Sequence, residues 1–305
     1  MQAWCARSGL CAANHNNKGL WMQRRGFASV MGLAGVGVGA AAAATLVAKP
    51  AIAQSVTEST FDRIRSTKKL RVAGIVGTEP YYHRDIVTKQ WSGFCISMAQ
   101  DLAQSMEAEL EIGETTWGNA VLDLEAKKID IMFGLSPTPS RALMIEFTNP
   151  IMENTFTIIA KPGFKAETWD ELNKPEVRIA VDIGSTHYLF ARHFLPKATL
   201  IALATPVDAV MALQSGRVDL VIQVAMLSLV TIKKNPTLGK ITVPTPVMHQ
   251  PTCAGVRAED SQRFRIFVNA WLEYNHSYGM ITDWITSSLA LVGIERQDIP
   301  PDIQF

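Results

Sequence analysis

Between Ile129 and Pro150 the chain reads IDIMFGLSPTPSRALMIEFTNP. Ile129, Ile131 and Phe133 alternate as an apolar strand, which runs into the small and hydroxylated residues Gly134, Ser136 and Thr138. Thr138 and Pro139 make an N-cap and first-turn pair, and Arg141 follows at once. A buried strand that delivers backbone N–H groups, hydroxyls and one guanidinium to one spot suits a carboxylate. The planar fork of Arg matches two carboxylate oxygens. Taken alone, the same segment also reads as a surface turn with a solvated Arg.

A second segment gives it context. Ala120-VLDLEAKKIDIMFG matches Ala209-VMALQSGRVDLVIQ in register, at an offset of 89 residues. Each is an amphipathic helix, a two-residue turn (Lys127-Lys128, Gly216-Arg217) and a strand that opens Ile/Val-Asp, at Asp130 and Asp219. Thr205 to Asp208 form a capping-box start for the second helix, and Gly216 ends it. Apolar strands after amphipathic helices predict a parallel α/β sheet. Finding the unit twice predicts two α/β lobes; coincidence between two ordinary βαβ units is the alternative. Further strands are expected at 70–76, 156–160 and 177–181, and the chain returns near 240–256. Helices are expected after Gly93, over 264–275 and from Gly279. The helix after Gly93 buries Ile96, Ala99, Leu102, Ala103 and Met106 at helical spacing.

The amino-terminal end reads differently. Residues 1–53 hold Arg7, Lys18, Arg24, Arg25 and Lys49 and no acidic residue. An apolar run from Phe27 to Val47 and Ala51-Ile52-Ala53 complete the pattern of an export signal peptide, with an uncleaved anchor as the alternative. Arg24-Arg25 ahead of Gly26-Phe27 resembles a twin-arginine signal, and export places the protein in the periplasm. Without residues 1–53 the chain keeps 24 of its 29 Lys and Arg and all 28 Asp and Glu, about −4 in place of +1. That balance argues against nucleic acid or an anionic membrane as partner. Cys95 and Cys253 remain, either paired or as two thiols. No HExxH, CxxC or GxSxG is present, so metal and serine hydrolysis are not expected.

Taken in order, KLRVAGI, Gly93-Phe94, TWGNAVLDLEAKKIDIMFG, SPTPSR with EFTNP, VDIGST and LQSGRVDLVI resemble the family-3 solute-binding proteins, the periplasmic receptors of polar amino acid ABC importers. The resemblance spans about Thr67 to Gly293. It implies a type II periplasmic-binding-protein fold, two lobes joined by two hinge strands that close on a solute. Lobe 1 would comprise 57–158 plus 247–293 and lobe 2 residues 159–246, with a tail over 294–305. The resemblance places Gly134 and Ser136 at the solute's main-chain groups, Arg141 on its α-carboxylate, and Gly184, Ser185 and Thr186 as N–H donors to that carboxylate. Tyr81 is expected as a wall and Gln223 at the ligand's other end. A membrane permease is the implied partner; the protein is expected to be a monomer without a cofactor.

The cation side departs from the family. Val224 stands where such receptors carry the Asp that pairs with the α-ammonium, and Cys95 and Ser97 replace the acidic pair of the G-F-D-x-D motif. A buried ammonium without a counter-charge is costly. The expected ligand is therefore a small carboxylate, an amino acid or a related organic acid. Two rivals remain. One is an enzyme resembling the cyclohexadienyl dehydratases, with Glu79, His83 or His187 as general acid. The other is an accessory protein of an exported redox system.

Overall fold

A computed structural model describes residues 58–299. The segment read as a signal peptide lies outside the described residues, as does the end of the tail. Among the described residues no helix is long and apolar enough to cross a membrane.

The parallel strands form two sets of the same design. In the first set Lys69–Gly74 lies between Glu109–Glu114 and Ile131–Leu135, parallel to both. In the second set Arg178–Asp182 lies between Thr199–Leu203 and Leu220–Val224, again parallel to both. Each set is closed by one long antiparallel strand, His249–Arg257 for the first and Met152–Ala160 for the second. Those two strands pair with each other over His249–Thr252 and Met152–Thr155, and join the sets into one path. The fold is α/β and two-lobed, with these two strands crossing between the lobes.

Helices cover the sets because their apolar faces have nowhere else to go. In Phe94–Ser105 the residues Ile96, Met98, Ala99 and Leu102 are no more than 1 % exposed. Each large side chain of this face contributes roughly 1.5–3 kcal/mol relative to exposure. The helices Arg263–Ser277 and Met280–Leu291 pack on the same lobe, with Trp271 and Trp284 stacked at 6.0 Å. Cys95 and Cys253 are buried separately as free thiols. Burial pushes the Cys253 thiol up to about 11 and that of Cys95 well above its ordinary value, so both stay protonated.

The two repeated aspartates do the same structural work in each lobe. Asp130 takes the Arg71 guanidinium at 2.7 Å and the Arg71 backbone N–H at 2.8 Å, and also binds Arg63. Asp219 takes the Arg178 guanidinium at 2.8 Å and the Arg178 N–H at 2.9 Å, and also binds Lys161. Each carboxylate thus pins the start of its strand to the neighbouring first strand. The Arg178 guanidinium, with Lys161 and the backbone N–H, holds the Asp219 carboxyl well below the usual carboxylate range against the opposing effect of burial.

Candidate ligand-binding site

Strand Ile131–Leu135 ends at the cleft, and two local choices shape that end. Gly134 has φ +78, and a Cβ there would come within 3.0 Å of the Tyr81 ring. Only glycine accepts both the left-handed backbone and the close aromatic wall. Thr138 then caps the short helix Pro139–Ala142, its Oγ1 accepting from the Arg141 N–H at 3.2 Å. This turn points the Arg141 side chain back across the strand end. Its guanidinium donates to the Ser136 carbonyl at 2.7 Å and, across the cleft, to the Gly184 carbonyl at 2.9 Å. Arg141 is 7 % exposed. Burial pushes it down to about 10, with the charge on Asp182 acting the other way.

The second lobe meets it with a helix start. Gly184 turns the chain at φ +79, and a Cβ there would lie 2.6 Å from the Gly118 backbone of the first lobe. Ser185 caps helix Thr186–Phe194, accepting from the Tyr188 N–H at 3.2 Å and donating to the Asp182 carbonyl at 2.7 Å. The N–H groups of Thr186 and His187 are the ones left at the helix start, a favourable place for an anion. His187 is buried at 5 %, and its Nδ1 lies 3.0 Å from Asp182 Oδ1.

A cavity of about 30 Å³ lies where the two ends meet. Tyr81, Gly134, Ser136, Arg141, Ser185 and Thr186, all singled out from the sequence, line it. Gln223 is not brought there. Successive strand residues face opposite ways, so Val224 lines the cavity while the Gln223 side chain turns inward and accepts from Thr231 at 3.1 Å. Glu79 and His83 also lie away from it. They hydrogen-bond each other at 2.9 Å, and Glu79 pairs with Lys234 of the facing lobe at 3.1 Å. His187 does line the cavity.

Sequence reasoning missed five further lining residues, Trp117, Asn154, Leu227, Gln250 and Thr252. Asn154, Gln250 and Thr252 sit on the two crossing strands, where the Asn154 amide donates to Thr252 Oγ1 at 2.8 Å and to the Tyr81 hydroxyl. Gln250 donates to Thr186 at 2.7 Å. They stand in polar stretches, Glu153-Asn154-Thr155 and His249-Gln250-Pro251-Thr252, with no motif to mark them. Trp117, edge-on to Tyr81 at 6.3 Å, lies within the TWGNA motif.

The sequence profile of the bacterial extracellular solute-binding proteins, family 3, matches residues 70–274. The chain belongs to this family. It is 27 % identical over 229 residues to a cyclohexadienyl dehydratase of Pseudomonas aeruginosa, covering 73 % of this chain and 84 % of that protein. It is also 27 % identical over 170 residues to an ABC transporter arginine-binding protein of Escherichia coli, covering 55 % of this chain and 69 % of that one. Among solved structures, an ancestral amino acid-binding protein described as a precursor of cyclohexadienyl dehydratase aligns with a TM-score of 0.68. It is 28 % identical, covering 74 % of this chain and 97 % of its own. The L-cysteine receptor of Neisseria gonorrhoeae aligns with a TM-score of 0.71 at 18 % identity, over 81 % of this chain and all of its own, and shares the fold. This family-3 protein thus sits among relatives that bind amino acids and one that is an enzyme.

Proposed function

We propose that this family-3 protein is the exported binding component of an ABC importer, closing two lobes on a small carboxylate-bearing solute. The observation that carries this reading is Arg141. Its buried guanidinium lines the cavity between the strand ends, and its hydrogen bonds there go to carbonyls rather than to a carboxylate. A ligand carboxylate would offset the desolvation of that charge and take up its remaining N–H groups. Ser136, Ser185, Thr186 and the helix start would hold the same carboxylate, with Tyr81 and Trp117 as walls. The lobes would be 57–158 plus 247–293 and 159–246, turning on the two crossing strands. Residues 1–53 would direct export, and a membrane permease would receive the loaded protein.

Mass spectrometry of the purified protein should find a bound small carboxylic acid. Titration with that acid should give binding that Arg141→Ala abolishes. If amino acids, dicarboxylates and aromatic acids all leave the melting temperature unchanged, the reading is wrong.

One observation favours a second reading, an enzyme on the same scaffold. His187 lines the cavity that holds Arg141, with its Nδ1 against the buried Asp182 carboxylate, and one relative is a dehydratase. Turnover of prephenate or arogenate, lost in His187→Asn, would replace the importer reading with this one.

A further inference from the structure

The path of strands through the two lobes has two ends, and they are finished differently. At one end lies Glu109–Glu114, which carries the exposed Glu109, Glu111 and Glu114. Charges on an edge strand discourage pairing with another chain. At the other end lies Thr199–Leu203, which carries no charge and, among the described residues, pairs only with Arg178–Asp182. On that paired side the Thr199 N–H donates to Val177 at 2.9 Å, and the Leu203 carbonyl accepts from Ile183 at 2.8 Å. Backbone groups alternate sides along a strand, so Leu200 and Ala202 turn their N–H and C=O groups outward.

The surroundings are equally short of charge. Residues 198–216 hold one charged residue, Asp208. Its carboxylate accepts from the Thr205 hydroxyl at 2.7 Å, at the start of helix Pro206–Gln214. That helix packs Ala209, Ala212 and Leu213 with Ile201 and Leu203, yet it leaves Val207 and Met211, one turn apart, 44 % and 57 % exposed. A free strand edge beside apolar surface is a template for another strand.

We propose that this edge is a dimer interface, where Thr199–Leu203 pairs antiparallel with the same strand of a second copy about a two-fold axis. The protein is then a dimer in place of the monomer implied by the family resemblance, whatever its cleft binds. Identical strands meeting about a two-fold axis must tolerate their own side chains. At Glu109–Glu114 the same pairing would set Glu109 against Glu114 and repel. At Thr199–Leu203 the register that pairs every residue sets Ile201 against Ile201, Thr199 against Leu203 and the large Leu200 against the small Ala202. The outward groups of Leu200 and Ala202 then exchange hydrogen bonds, and the facing isoleucines add a β-branched cross-strand contact. Lys197, just before the strand, falls at opposite ends of the joined pair. At about 3.4 Å per residue the two lysines lie roughly 27 Å apart, well beyond the ~8 Å over which salt leaves charges unscreened.

Sedimentation equilibrium on the purified protein should show a monomer–dimer equilibrium. The facing Ile201 residues form a non-hydrogen-bonded pair with Cα atoms about 4.5 Å apart, within the ~4.4–6.8 Å that a disulfide spans. Ile201→Cys should therefore give a covalent dimer on mild oxidation, while wild type, with Cys95 and Cys253 buried, should not. Ala202 is exposed, so Ala202→Lys leaves the core alone but brings two lysines to diagonal positions in the joined strands. It should weaken the dimer about tenfold or more. Ala202→Pro removes one outward N–H, a change that edge strands tolerate, and should also weaken it. A protein that stays monomeric from micromolar to near-millimolar concentration overturns the proposal. So does a dimer that neither Ala202 variant weakens and that Ile201→Cys does not cross-link.

Discussion

The two helix–strand units that the sequence repeats, ending at 129–136 and 218–224, are alike at one end and unlike at the other. At the start of each strand an aspartate grips the arginine of the adjoining first strand, with guanidinium contacts of 2.7 and 2.8 Å. At the far end the first strand turns through Gly134 into Ser136, Thr138 and Arg141, while the second stops at Val224 and passes straight into helix Ala225–Lys234. Each clamped end holds two strands of its own lobe together, so the two are built alike. The open ends line one cavity from the two lobes, so they differ. Position in the fold, more than ancestry of the unit, sets what each residue does.

The largest test of this asymmetry is at the open ends. Arg141→Ala should cost about 2–5 kcal/mol in ligand affinity, the usual loss when a desolvated charge partner is removed. Gln223→Ala, on the corresponding second strand, should leave affinity within about threefold, because its side chain faces Thr231. Equal losses in the two titrations would erase the distinction.

The clamped ends should respond in stability instead. Asp130→Asn should destabilise by about 3 kcal/mol in urea unfolding, since the Asp130 side chain is fully buried between two arginines. Asp219→Asn should cost less, because Arg178 and Lys161 are 40 % and 44 % exposed and solvent screens them. The carboxyl of Asp219 is held below its unfolded value near 4. Its contribution is therefore complete above about pH 4 and is lost only as acidification reaches the lower folded value. Unfolding curves of wild type and Asp219→Asn should accordingly converge at low pH.

Glycines separate closure from backbone strain. Gly184→Ala and Gly216→Ala both place a side chain at positive φ, which costs roughly 1–2 kcal/mol. Only at Gly184 does the new methyl also meet the facing lobe, at Gly118, whereas Gly216 faces open space. Gly184→Ala should weaken ligand binding in addition to lowering the melting temperature, and Gly216→Ala should change the melting temperature alone. The smallest effect is expected at Glu79. Burial raises its carboxyl, but His83 and Lys234 together bring it below its ordinary value. Glu79→Gln should weaken affinity by less than about 1 kcal/mol, and added salt should remove the difference.

The repeat and the Thr138 and Thr205 caps were legible because each rests on local chemistry. Periodicity, a capping hydroxyl and a guanidinium five residues beyond Ser136 are written in adjacent positions. Gln223 went astray by one place because strand alternation decides its face, and a single residue of register reverses it. His187 could be named as a candidate acid, but its carboxylate lies on another element, at the end of strand Arg178–Asp182. Asn154, Gln250 and Thr252 carried no local motif, because only the meeting of the two crossing strands brings them to the cavity.

By itself the sequence determined the α/β class and the doubled helix–strand unit. Those follow from residue type and spacing, which act within a few turns of chain. Tertiary structure alone decided what faces Arg141. It carried Gly184 to within 2.9 Å of that guanidinium, set the crossing strands under the cavity and put Asp182 behind His187. Contacts between residues far apart in the chain depend on how two lobes meet, and no local pattern encodes that meeting.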